Sequence, residues 1–131
     1  MALNNLGEVY FGLGDLDAAA DCYIQAREIG RQIGGHVEGH ALHNLGRVFL
    51  RLRRLDEAIS SFTEALIKHR AAGLLDGEAW TLKDLAEARA KTGDITAARV
   101  SLAAATSIFK QVGDQAGVAE AASLLVSLAP S

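Results

Sequence analysis

The sequence predicts an all-α protein, a stack of antiparallel helical hairpins with three hairpins followed by one extra C-terminal helix. Three observations predict it. First, a phrase returns: Asn4-Asn5-Leu6-Gly7-Glu8-Val9-Tyr10 reappears thirty-nine residues later as His43-Asn44-Leu45-Gly46-Arg47-Val48-Phe49. A weaker copy, Lys83-Asp84-Leu85-Ala86-Glu87-Ala88-Arg89, follows forty residues after that. Self-similarity at such a period marks stacked supersecondary units, not a single globular core. Second, the matched apolar positions are spaced by three and four, which sets each group on one helical stripe. Third, half of the 131 residues are apolar, only 5% are aromatic, and one proline is present. Such a composition favours helix throughout.

The first helix of each unit carries Leu3, Leu42 and Leu82, then Leu6, Leu45, Leu85 and, in a partial fourth copy, Leu125. Small residues follow directly as Gly7, Gly46 and Ala86, with Val126 in the fourth copy; Tyr10 and Phe49 come next, where the third copy has Arg89. The second helix carries Ala19, Ala58 and Ala98, then Tyr23, Phe62 and Leu102, then Ala26, Ala65 and Ala105. Large and small residues alternate, as close helix packing requires. Gly14-Asp15 and Gly93-Asp94 make the turns inside the first and third hairpins, glycine permitting the reversal and aspartate accepting from free N–H groups of the next helix. The second hairpin has Arg53-Arg54 there, so its turn must be made without glycine. Gly34-Gly35, Gly73 and Gly113 end the long helices. Helices are therefore expected over 2–12, 16–33, 38–51, 55–72, 78–91, 95–112 and 117–128, in units of about 1–37, 38–76, 77–116 and a partial 117–131.

These residues resemble the tetratricopeptide repeat family: the Leu-Gly pair, the aromatic three residues beyond it, and the Ala…Tyr/Phe…Ala series. The resemblance covers nearly the whole chain, strongest in the first two copies. Two departures stand out. The usual period is about 34 residues, whereas here it is 39 to 40, and the proline that often closes a unit is missing. The longer variety is similar to repeats in bacterial signalling and transcriptional regulators, kinesin light chains and Pins/LGN-type adaptors. The resemblance implies a right-handed superhelix whose first helices line a concave groove that binds a protein or peptide. The groove positions it implies are Asn4, Asn5, Glu8, His40, His43, Asn44, Arg47, Arg51, Trp80, Lys83, Asp84 and Glu87, with Lys91 beyond them.

Among these, Asn5 and Asn44 precede the Leu-Gly pair, and a carboxamide can satisfy a peptide group through both donor and acceptor. Asp84 replaces them in the third copy. Arg47 and Arg51, one turn apart, with His40 and His43, would make the middle of the groove basic and suited to an acidic group on the partner. Trp80 is either a partner anchor or a spacer between the second and third units. His36, His40 and His43 have spacings of four and three, but Gly39 interrupts the run and no other ligand completes a set, so no metal is expected.

Neither a cofactor nor catalysis is expected: no phosphate-cradling loop, HExxH or nucleophile–base arrangement is present in the sequence. Cys22 matches Ser61 and Ser101, a position that wants a small side chain. A single cysteine makes no internal disulfide, which points to a cytoplasmic setting. The net charge of −3 argues against direct nucleic-acid binding. No apolar run reaches the roughly 20 residues that span a bilayer. The first helix opens abruptly at Ala2-Leu3, and the last carries Leu124, Leu125, Val126 and Leu128, dense for a solvating cap. These ends raise two expectations, that the chain is a fragment of a longer array or that it self-associates through its terminal helices. The function expected is a partner-binding scaffold within a bacterial signalling or regulatory protein, the alternative being an oligomerisation or spacer segment.

Overall fold

A computed structural model describes residues 2–34 and 36–128. Among them the chain forms α1 (Ala2–Gly12), α2 (Leu16–Ile33), α3 (Val37–Arg51), α4 (Leu55–Ala72), α5 (Leu75–Lys91), α6 (Ile95–Val112) and α7 (Gln115–Ser127), with no strand. Each helix packs on the one before it and the one after. The odd-numbered helices also touch one another, α1 with α3, α3 with α5 and α5 with α7. No such contact joins the even-numbered helices among the described residues. The odd helices thus crowd together on the inner side of the stack, and the even ones splay apart on the outer side.

Two levels of size-matched packing hold the hairpins together. At the first, Gly7 faces Tyr23, Gly46 faces Phe62, and Ala86 shares a core cluster with Leu102. A Cβ on Gly46 would stand 2.5 Å from Cε1 of Phe62, so the ring fits because the glycine has no side chain. At the second, Gly30 meets the backbone of Glu38, His69 meets Gly77, and Phe109 meets Gly117. Every one of these three pairs contains a glycine. Tyr23, Phe62, Leu102 and Phe109 are all fully buried, each burial contributing about 1.5–3 kcal/mol.

The predicted helices hold, with α3 starting one residue earlier, at Val37, and two starts moved further. α5 begins at Leu75, not 78, and so within the stretch assigned to the second unit; α7 begins at Gln115, not 117. Gly77, outside the helix expected from sequence, lies inside the first turn of α5, where it makes room for His69. Gly117, expected as the first residue of its helix, lies within the first turn of α7, where it makes room for Phe109. Asp114 caps α7 by accepting from the Gly117 N–H at 2.9 Å, as Asp15 caps α2 and Asp94 caps α6, each at 3.1 Å. Gly39 likewise does not interrupt α3. It lies within the helix against His69, while His36 stays in the turn before α3, at the N-cap position.

The glycine-free turn has its own solution. Arg53 adopts φ +60°, where Gly14 and Gly93 at the matched turns have +82° and +91°. A non-glycine residue in that region is strained by roughly 1–2 kcal/mol. Arg53→Gly is therefore expected to stabilise the protein by about 0.5–1 kcal/mol, once the larger freedom of glycine in the unfolded chain is subtracted. The measurement is the urea midpoint at unchanged slope, and a lowered midpoint would refute the expectation.

Candidate partner-binding groove

The inner face does not gather the expected groove residues into one surface. It sorts them into a polar cavity, a ladder of ion pairs, and positions that pack. The cavity, about 320 Å³, lies between α1 and α3 and is lined by Asn4, Asn5, Glu8, His36, Val37, His40 and Asn44. Five of the twelve expected residues meet here. The carbonyl oxygen of the Asn4 side chain is buried and accepts no hydrogen bond. Asn5 is exposed at the rim, and Asn44, one repeat later, is half-buried.

The ladder runs along the odd helices. Arg47 Nη1 on α3 donates to Glu8 Oε1 on α1 at 2.8 Å, and the Tyr23 hydroxyl on α2 donates to the same oxygen at 2.9 Å. One carboxylate thus ties three helices. Burial and the Glu8 hydrogen bond push the Tyr23 phenol well above its ordinary value. Next, His43 Nε2 on α3 lies 2.6 Å from Asp84 Oδ2 on α5. Burial alone would raise the Asp84 pKa; the His43 hydrogen bond and charge, with Lys83 and Arg47, outweigh it and hold the carboxyl below its usual range. Lys83 completes the run, 3.4 Å from Asp84 and 3.8 Å from Glu120 on α7. The middle of the face is therefore not a bare basic patch. Its charges pair from helix to helix, which the sequence could not show because the pairing depends on how each hairpin is rotated against the last.

The remaining residues divide by role. Arg47 and Arg51 both lie over the Phe11 ring, at 4.5 and 5.0 Å from its centre. No ion pair among the described residues involves Arg51. Trp80 is half-buried and sets its ring edgewise to Phe109, with centroids 4.9 Å apart. It packs between α5 and α6, inside the third hairpin, and not as the spacer between the second and third units that the sequence suggested. Glu87 lies with Lys91 in a separate hollow near α7, lined also by Ala90, Ile95, Leu124, Ser127 and Leu128. Cys22 is buried, as its small-residue position required.

Missed at the sequence level was His69, fully buried on α4 and 5.2 Å from the His40 ring. The signal was available: its matched positions are Gly30 and Phe109, a glycine and a core aromatic. Among the described residues, no group of three or more His, Cys, Asp or Glu side chains is placed to hold a metal ion. No helix among them is long and apolar enough to cross a membrane.

Stacked hairpins with a small-to-large zipper and an inner face of polar and paired charged side chains define a helical-repeat scaffold. The chain belongs to the tetratricopeptide repeat family, whose profile matches residues 1–66. Repeats of this family generally mediate protein–protein interactions and typically form non-catalytic scaffolds. The crystal structure of BtubC (BKLC) from P. vanneervenii is similar to it, with a TM-score of 0.72 at 18% identity over 96% of this chain. The chain spans 61% of the length of that protein. At this identity the likeness shows the fold alone. No curated protein matches the chain in sequence.

Proposed function

We propose that the protein is a non-catalytic scaffold that holds an extended segment of a partner protein along its odd-helix face, as part of a bacterial signalling or regulatory protein. The observation that carries this reading is the polar cavity between α1 and α3, where Asn4 presents a buried acceptor without a partner beside Asn5 and Asn44. A buried polar atom left unpaired costs about 1–3 kcal/mol. A peptide N–H laid across the cavity would supply the missing donor once the Asn4 amide turns its buried oxygen toward it. Asn5 would take a further backbone group, and Asn44 would donate through its amide nitrogen while its oxygen accepts from Arg47 at 3.4 Å. An acidic group on the partner would settle at Arg51, since Arg47 is already held by Glu8.

The test is a peptide selected for binding from a random display library, titrated against variants. Asn44→Ala is expected to weaken binding about tenfold, the loss of roughly 1.4 kcal/mol, with far-ultraviolet circular dichroism unchanged. Arg51→Glu is expected to do the same for peptides that carry an acid. Arg47→Glu would weaken binding too, but it also severs the Glu8 tie and reports on both effects at once. Undiminished affinity in Asn44→Ala and Arg51→Glu together would remove the groove from consideration.

A second reading, assembly through the terminal helices, is favoured by the leucine series. Leu45 and Leu85 are 2% and 4% exposed, but the matched Leu6 and Leu125 are 44% and 49% exposed. Under that reading the groove variants change nothing, and the mass seen by light scattering falls on dilution.

A further inference from the structure

Three of the chain's histidines, His40, His43 and His69, meet the joint between the second and third hairpins, and His36 stands against His40. The sequence contains four. His36, His40 and His43 lie along α3, and His69 lies in the last turn of α4. The His36 and His40 rings are 5.4 Å apart, and the His40 and His69 rings 5.2 Å. His43 is taken up by Asp84. His69 is 0% exposed, and neither of its ring nitrogens has a hydrogen-bond partner. Glycines enclose it on both sides: a Cβ on Gly77 of α5 would stand 2.5 Å from Nδ1, and one on Gly39 of α3 would stand 3.1 Å away.

An imidazole buried in this way needs a reason, because packing alone does not supply one. The matched residue of the next hairpin, Phe109, fills the same place against Gly117 with no polar atom to leave unsatisfied. A ring of that size thus packs well as phenyl. What the histidine adds is the capacity to take a proton, which the enclosed site cannot accommodate.

We propose that His69 is an acid-labile latch: neutral, it closes the joint between the second and third hairpins, and protonated, it forces that joint open. The proposal goes beyond the groove reading and needs no partner. The charged groups around the latch offer an imidazolium no relief. On α3, Glu38 is shared between Arg31 at 3.4 Å and Lys68 at 3.5 Å, while His36, His40 and His43 would add only like charge. On α4 the neighbours Lys68 and Arg70 are cationic. From α5, Glu78 is held by Arg70 at 3.0 Å, and Asp76 lines the hollow that His40 and Gly77 share. Among the described residues, no carboxylate forms an ion pair with His69.

Burial, and then His40, His43 and His36, lower the His69 pKa from 6.5 to about 4. Burial, with His36 and His43, lowers His40 as well. The sign follows from linkage. The folded form binds fewer protons than the unfolded one, so this stability is whole above pH 6.5 and drains as the pH falls toward 4. Asp84 acts in a different window: its depressed carboxyl contributes above its ordinary 3.8 and is lost only on further acidification.

Urea unfolding between pH 7.5 and 4.5 tests the proposal on the unsubstituted protein and on His69→Phe, which copies Phe109. The unfolding constant of the former is expected to rise on the order of a hundredfold across that range. For His69→Phe the rise is expected to be much smaller, the remainder coming from the lowered His40. Parallel profiles would overturn the proposal. A measurement independent of any variant is the NMR titration of the His69 Cε1–H: no midpoint above pH 5 is expected, and an ordinary midpoint near 6.5 would overturn it. Amide exchange, corrected for intrinsic rates, is expected to lose protection over residues 73–80 before α1 and α2 on acidification; simultaneous loss everywhere would refute a local latch.

Discussion

Replacing Gly46 by Ala and Phe62 by Leu together is expected to leave the protein about as stable as before, although either change alone costs about 1–2 kcal/mol. The expectation rests on the third hairpin, where Ala86 and Leu102 occupy the matched places in one core cluster. Gly46→Ala alone drives a methyl group into the Phe62 ring, since its Cβ would lie 2.5 Å from Cε1. That ring is fully buried and has nowhere to retreat. Overpacking of this kind costs about 1–3 kcal/mol and outweighs the helix propensity that alanine gains over glycine, about 1 kcal/mol. Phe62→Leu alone leaves a void beside a glycine that cannot fill it. Combined, the methyl group enters the void. Equilibrium denaturation of the four proteins gives the coupling energy, expected near 2 kcal/mol. Additivity within 0.5 kcal/mol would show that the two side chains do not compete for one space.

The same zipper explains what the sequence could and could not disclose. Leucine, alanine and aromatic positions three and four apart gave all seven helices, because their periodicity is a direct image of the packed stripes. The starts of α5 and α7 are hard to place from sequence because a glycine has two uses that look alike in one dimension. Gly73 and Gly113 end helices at φ +69° and +75°, whereas Gly77 and Gly117 lie inside helices and make space. Comparison across units separates them: a glycine opposite His69 or Phe109 has a steric reason, and one that follows the last helical turn has a conformational one. Within the groove, Asn4, Asn5, Glu8, His40 and Asn44 could be brought together by counting along the repeat. The pairing of Arg47 with Glu8 and of His43 with Asp84 could not, because it depends on how far each hairpin is rotated against the last. Trp80 was ambiguous for a related reason. Its matched residue is His40, which lines the cavity, and only the position of Phe109 decides that the indole packs.

Gly117→Val is expected to release α7 from the stack while the first three hairpins stay folded. A Cβ at this position would enter the Phe109 ring, and a β-branched side chain has no rotamer that avoids it. Phe109 cannot yield, being fully buried with the Trp80 ring edgewise against it at 4.9 Å. α7, by contrast, is held on one side only: it packs on α6 and touches α5, and Gly117 and Ala121 are the two residues it buries completely. Its remaining apolar contacts come from Val118, Leu124 and Leu128, all partly exposed, beside the 3.8 Å pair of Glu120 with Lys83. Less apolar area holds this helix than any internal one, so a strain of a few kcal/mol exceeds what keeps it docked. Two readouts follow. Helical circular dichroism should fall by roughly a tenth, the share of a short terminal helix in a seven-helix chain. Trp80, the single tryptophan, should shift its emission to longer wavelength as water reaches the Phe109 side of the indole. Unchanged ellipticity together with unchanged emission would mean that α7 tolerates the valine and that Gly117 is not the hinge of its docking. Adding Phe109→Ala to Gly117→Val reopens the space in the manner of Gly30 against Glu38, and should return the helical signal even though the core as a whole remains weakened by the loss of the ring.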